Sequence, residues 1–219
     1  MERTNYQDRN ITEILHFTTN RGIVGVLDSR MLYSRPRVKA ESNLQYILRV
    51  NSTNRPEENE FFDKSENWID YVNLSISEIN RRYFEFSQGW HLTADIWWGI
   101  LSYDPIIITH EDVYFATTNN SYDYCIRAKG VAGFSNLFAP KIMRKKPNWG
   151  VHRLDRKNWL TTCEQAEVLY PQAVSSDYLR RVYVLNETCQ DTVRGWLREF
   201  GYDNVEVCIN PHKFEGIKN

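Results

Sequence analysis

The chain has 219 residues, 42% of them hydrophobic and 14% aromatic, with a formal net charge of -1. That length can bury a full core in one domain, and so small a charge excludes bulk attraction to nucleic acid or to an anionic surface, leaving only local patches. Cys125, Cys163, Cys189 and Cys208 are widely spaced and form no CxxC pair, which argues against a zinc or dithiol motif and for reduced thiols in a cytoplasmic protein.

Met1 to Asn5 is polar and lacks an apolar signal core, and no run approaches the roughly 18 apolar residues of a membrane span. Residues 11–15 read as a first strand ending at His16. Asn20–Ser29 reads as a helix with Ile23, Val24 and Leu27 on one side, although Gly22 and Gly25 weaken it. Residues 51–59 form a polar loop. Residues 71–77 alternate cleanly, Val72, Leu74 and Ile76 against Asn73, Ser75 and Ser77, which predicts a half-buried strand. A short helix over 78–86 follows.

Residues 91–103 contain Ile96-Trp97-Trp98-Gly99-Ile100-Leu101, a run suited to a central strand buried on both faces, with the two tryptophans in the core. Asp104-Pro105 turns the chain. Residues 113–117 read as a strand and 119–128 as a helix. Residues 141–158 break the composition, setting Lys141, Arg144, Lys145, Lys146, Arg153, Arg156 and Lys157 against Asp155 alone. Strands return at 166–170 and 181–185. Residues 187–200 are amphipathic through Val193, Trp196, Leu197 and Phe200 and stop at Gly201. A last strand covers 205–209. Short strands outnumber helices and no linker interrupts them, so residues 1–219 are expected to form one α+β domain around antiparallel sheets.

Glu167 is the residue with the most chemistry to offer. It sits inside the apolar run Ala166-Glu167-Val168-Leu169, where a period of two puts Gln165, Glu167 and Leu169 on one face. A carboxylate on a half-buried strand is costly unless hydrogen-bonded or used; on this run alone, an edge strand with Glu167 in water is the better reading.

Taken in order, His16-x-Thr18, the polar strand Tyr71-Val72-Asn73-Leu74-Ser75-Ile76, the Thr118-Asn119-Asn120 turn, the basic segment and Gln165-Ala166-Glu167-Val168-Leu169 resemble the DarT family, nucleic-acid ADP-ribosyltransferase toxins of bacterial toxin–antitoxin pairs. The likeness spans most of the chain. It implies an ADP-ribosyltransferase fold, two packed antiparallel β-sheets with surrounding helices and NAD in the cleft between them. It implies Glu167 as the catalytic carboxylate. It places NAD against His16, Thr18, Asn20, Tyr71 and Asn73, with NAD as co-substrate and no metal. Arg81 is the best match for the family's arginine, although Arg81 and Arg82 also suit a solvated helix face. His16 equally suits a satisfied strand-end histidine, and Thr118-Asn119-Asn120 suits either the nicotinamide end of the cleft or, better, a helix cap.

The family's thymine-modifying branch carries aromatic residues and Pro-Arg where this chain has Asn73-Leu74-Ser75-Ile76 and then Asn80-Arg81-Arg82. That departure leans toward guanine. Lys145, Lys146, Trp149, Arg153 and Arg156 interleave cations with aromatics, as single-stranded nucleic acid requires, and Gln165 suits either orienting the acceptor or, equally, a surface position. The same segment also suits a solvated loop. Expected partners are single-stranded DNA, with RNA as the alternative acceptor, and a cognate antitoxin; no membrane is expected. A non-catalytic nucleic-acid-binding module on the same fold is the reading from another class.

Overall fold

The structure is a computed structural model that describes residues 6–40, 68–89, 95–146 and 148–219. The strands are β1 (Ile14–Thr19), β2 (Met31–Tyr33), β3 (Tyr71–Ile76), β4 (Trp98–Tyr103), β5 (Tyr114–Ala116), β6 (Arg127–Lys129), β7 (Lys141–Met143), β8 (Gly150–His152), β9 (Glu167–Pro171), β10 (Ala173–Ser175), β11 (Leu179–Val184) and β12 (Glu206–Ile209). Helices are α1 (Asn20–Ser29), α2 (Arg35–Ala40), α3 (Arg81–Gln88), α4 (Gly130–Asn136) and α5 (Glu187–Glu199).

Eight strands line up in the order β12-β11-β4-β1-β3-β9-β5-β6. Every neighbouring pair is antiparallel except β11 with β12, which is parallel. The middle of this sheet is its weakest seam. β1 pairs with β4 along its whole length, from Ile14↔Tyr103 to Thr19↔Trp98. It pairs with β3 only at Ile14↔Ile76 and Leu15↔Ser75. Beyond Leu15 the β1–β3 ladder stops, which divides the single sheet into two halves, β12-β11-β4-β1 and β3-β9-β5-β6.

Strand alternation sets the core. Val72, Leu74 and Ile76 pack with Ile14, Leu101, Tyr103 and Val168, and with Ile23 and Val26 of α1 and Val193 and Leu197 of α5. Each such side chain contributes roughly 1.5–3 kcal/mol on burial. Leu15, Ile100, Phe84 and Phe214 form a second cluster, joined by Phe17 and Trp98. Trp97 goes to the first cluster, its ring stacked on Trp196 at 5.8 Å between centroids. The two tryptophans are thus half-buried, packed against separate clusters rather than inside the core.

β1 runs on to Thr19 rather than ending at His16, because β4 offers it a full ladder. Thr19 then caps α1, its hydroxyl accepting from Gly22 N–H at 3.3 Å. Gly22 is required inside that helix: a Cβ there would lie 2.0 Å from Thr18 Oγ1. The helix expected over 78–86 begins at Arg81 instead, capped by Asn80, whose side chain accepts from Tyr83 N–H. Ser77 sits at φ 61, in the left-handed region that breaks the path before the helix.

No helix forms over 119–128. Asn119 Oδ1 accepts from both the Ser121 N–H and hydroxyl, 2.9 and 2.6 Å away, closing a local turn. The chain then joins β5 as β6. The basic segment is a β7–β8 hairpin with Lys141 opposite His152, and the polar loop at 51–59 lies outside the described residues. Among the described residues no helix is long and apolar enough to cross a membrane.

Candidate active site

Glu167 opens β9 between β3 and β5, opposite Ala116. It is 6% exposed, so the edge-strand reading with its carboxylate in water does not hold. Oε2 accepts the backbone N–H of Asn120 at 2.9 Å and the Asn73 side-chain amide at 3.2 Å. Burial pushes the carboxyl up to about 7, against the Asn120 N–H, the Asn73 amide and the Arg127 guanidinium, all of which favour the charged form.

His16 stands where the β1–β3 ladder stops. Its Nδ1 lies 3.0 Å from the Asn73 carbonyl oxygen. A carbonyl only accepts, so Nδ1 carries the hydrogen and Nε2 presents its lone pair. Burial lowers the His16 pKa and keeps the ring neutral. Asn73 thus ties His16, on one half-sheet, to Glu167, on the other.

The remaining expected NAD contacts are placed less closely together. Thr18 packs over Gly22. Asn20 gives its backbone N–H to Trp97 O and its side-chain amide to Asp95 O. Its Oδ1 is buried with no partner among the described residues. Tyr71 packs against the rings of Trp68 and Tyr114, at 5.4 and 6.0 Å.

The structure redistributes the expected cations. Arg81 pairs with Glu85 on the exposed side of α3, 2.6 Å away. Arg156 is buried against Glu78, and Arg153 donates to the carbonyls of Leu160 and Lys157. Those two arginines hold the segment together rather than facing outward. Lys145 and Lys146 are exposed at the hairpin tip. Trp149 follows them, its ring 5.7 Å from Tyr122 and 5.3 Å from the Arg82 guanidinium. Gln165 is buried in the turn closed by Ala166 N–H to Cys163 O, with its Nε2 unpartnered among the described residues; it is not on the strand with Glu167.

Arg127 was not legible as a site residue, and Asn120 only as part of a turn read more readily as a helix cap. Arg127 donates Nε to Asn120 Oδ1 and a terminal N–H to the Asn120 carbonyl, and its guanidinium lies 5.1 Å from the Trp68 ring. The only sequence signal is the Thr118-Asn119-Asn120 turn. Among the described residues no group of three or more His, Cys, Asp or Glu side chains could hold a metal.

A sheet forked beside a buried, hydrogen-bonded glutamate belongs to the ADP-ribosyltransferase class. A family model described as DarT, ssDNA thymidine ADP-ribosyltransferase, matches residues 15–215, and the chain belongs to the DarT family. No curated protein sequence matches it. Its fold is similar to that of Thermus sp. 2.9 DarT in complex with NAD+, at TM-score 0.62 and 14% identity over 92% of this chain and 96% of that one. It is similar also to Thermus sp. 2.9 DarT in complex with ADP-ribosylated ssDNA, at 0.60 and 16% over 97% and 99%. Against Thermosipho africanus DarTG in complex with ADP-ribose the values are 0.56 and 14% over 93% of this chain, which spans about half, 51%, of that relative.

Proposed function

We propose that this chain is one domain that transfers ADP-ribose from NAD to a base of single-stranded DNA, with Glu167 as the catalytic carboxylate. The observation that carries the reading is the buried Glu167 carboxylate, bonded by Asn73 and Asn120 at the fork of a DarT-family sheet. In the reaction the bond from the ribose C1′ to the nicotinamide nitrogen breaks and nicotinamide leaves with the electron pair. The sugar acquires oxocarbenium character, which a nearby carboxylate stabilises. A nitrogen of the base then bonds to C1′, and its proton passes to Glu167. One acid suffices because nicotinamide is a good leaving group.

His16 offers Nε2, and Asn20 offers Oδ1, as acceptors for hydroxyls of the dinucleotide; Thr18, Tyr71 and Asn73 complete the proposed NAD contacts. Lys145, Lys146 and Trp149 are the proposed strand contacts, one pair of charges and one stacking face on the hairpin nearest β9 in sequence. Gln165 joins them as a buried donor. Arg81, Arg153 and Arg156 are left to structural pairing. The departure at 73–82 favours guanine, whereas the family description names thymidine. The family resemblance also implies a neutralising or hydrolysing antitoxin as partner and a role in phage defence, and the widely spaced cysteines favour a cytoplasmic location.

The test is mass spectrometry of single-stranded DNA oligomers, each offering only guanine or only thymine as its amide-bearing base, incubated with NAD beside RNA counterparts. ADP-ribose on a DNA base, lost in Glu167→Gln, is the expected result. A guanine adduct supports the base assignment and a thymine adduct refutes it. Strand binding without nicotinamide release refutes the enzyme reading in favour of a binding module.

A further inference from the structure

Asn120 is buried, 2% exposed, and every one of its polar groups but one is committed. Its N–H goes to Glu167 Oε2 at 2.9 Å. Its carbonyl and Oδ1 both take N–H groups from Arg127. Its Nδ2 has no partner among the described residues. A buried amide nitrogen left unpaired costs free energy that folded proteins ordinarily avoid. Arg127 also decides which way the amide points. A guanidinium only donates, so the oxygen must face Arg127 and the two N–H donors must face away from it.

We propose that Asn120 is a substrate-contacting residue of the Glu167 site, held by Arg127 so that its side-chain amide donates to a carbonyl oxygen of the bound substrate. The inference rests on the enzyme reading above and deepens it. A donor beside a carboxylate is complementary to an amide edge, in which a C=O stands next to an N–H. Both Glu167 bonds fall on Oε2, which leaves Oε1 to take such an N–H. Two substrates of the proposed reaction carry that edge: the carboxamide of nicotinamide, and the lactam of guanine or thymine. Ribose hydroxyls do not need the pairing, since each both donates and accepts.

Arg127 is then a positioning residue. It touches Asn120 and the Trp68 ring, and it lies on β6 opposite Ala116, whose other neighbour is Glu167. Its two bonds to one residue fix that residue as a fork fixes a carboxylate. Lysine at 127 keeps the charge but cannot make both bonds in one plane.

Asn120→Ala is a clean probe because the bond to Glu167 comes from the backbone and survives. Asn120→Asp keeps the shape and turns the donor into an acceptor. Calorimetric NAD binding and the KM for a single-stranded oligomer are measured for wild type, Asn120→Ala, Asn120→Asp, Arg127→Lys and the double variant Asn120→Ala/Arg127→Lys. Each single variant is expected to weaken one of the two by about tenfold, the size of one lost hydrogen bond. A change in NAD affinity assigns the amide to nicotinamide, and a change in oligomer KM assigns it to the base; either supports the inference. Arg127→Lys adds little to Asn120→Ala if the arginine acts through the asparagine. Variants that match wild type in both measurements, or a double variant whose losses simply add, overturn it while wild-type transfer stands. A wild type that neither binds NAD nor labels any oligomer overturns the enzyme reading and this inference with it.

Discussion

Asn73 bonds Glu167 Oε2 with its side-chain amide at 3.2 Å and takes the His16 Nδ1–H on its backbone carbonyl at 3.0 Å. One residue therefore spans the fork in the sheet. It holds the carboxylate on β9 and the imidazole on β1 in fixed relation, although the two strands are not neighbours. Pre-set geometry of this kind lets a site stabilise charge without reorganising during reaction.

Replacing Glu167 by glutamine keeps the shape and most hydrogen bonds but removes the charge proposed to stabilise the developing cation. Transfer is expected to fall by about 10²-fold or more, with NAD affinity within roughly tenfold of wild type, since the loss falls on the transition state. Single-turnover rates beside calorimetric NAD binding check it. An equal loss in both would mean that Glu167 serves binding rather than chemistry.

The proposed reaction needs the carboxylate, and burial holds the Glu167 carboxyl at about 7. Activity should therefore rise with pH through an acid limb near that value. Tyr122 and Cys125 also feel the Glu167 charge, but burial pushes both of these up, so neither ionises on that limb. Arg127 opposes the shift in Glu167; Arg127→Met must move the limb to higher pH. A profile of kcat/KM for the two proteins shows the sign directly, and a limb that stays put removes Arg127 from the electrostatics of the site.

The same shift makes a stability statement. The folded carboxyl, at about 7, lies above its ordinary value of 4.5, so the fold prefers the protonated form. Its contribution is fully present below the unfolded value and is lost as pH rises through the folded one. Glu167→Gln should therefore melt higher than wild type at pH 8, by free energy on the order of 3 kcal/mol at most, and nearly with it at pH 4. Thermal melts at the two pH values test this, and equal gaps would contradict it.

Most of the framework was legible because strands announce themselves by period two. The alternation at 71–76 returned as β3 with its core face as read, and α1 kept its bounds because Thr19 and its glycines fit that turn of chain. Glu167 drew notice as a carboxylate in an apolar run, yet the run alone favoured an exposed edge strand, and only the family resemblance pointed to a site there. The site was not legible where a contact depends on how the strands pair. Arg127 bonds Asn120 and stands one strand away from Glu167 only because β6 pairs with β5 and β5 with β9, and nothing near Arg127 signals that. The basic segment misled for a related reason: counting charges cannot tell Lys145, which meets water, from Arg156, which meets Glu78. Gln165 was assigned a strand face that the Cys163–Ala166 turn does not provide.

That division of the basic segment is testable. Lys145 and Lys146 are exposed beside Trp149, where phosphates can be neutralised. Alanine at both should raise the KM for an oligomer and leave melting unchanged. The slope of log KM against log salt should flatten by roughly 1.4, at about 0.7 per phosphate contact on a single strand. Titrations across salt concentrations measure it, and an unchanged slope would place the strand elsewhere.

Arg156 should behave in the opposite way. It is buried with Glu78, and it also donates to the carbonyls of Thr161 and Ile217. Glu78 in turn accepts the Ile217 N–H at 3.0 Å, so the pair clasps the last residues onto the segment ahead of β9. Arg156→Ala leaves a buried carboxylate without its partner, and the expected cost is about 3–5 kcal/mol near neutral pH. Burial already pulls the Glu78 carboxyl upward against Arg156, and removing the arginine raises it further. The variant should then recover stability as pH falls and Glu78 takes up its proton. Adding Glu78→Gln to Arg156→Ala should restore part of the loss at pH 8 and little at pH 5. Chemical denaturation of the single and double variants at both pH values decides it. A loss that is the same at both would show that the clasp works through packing alone, with no part for the buried charge.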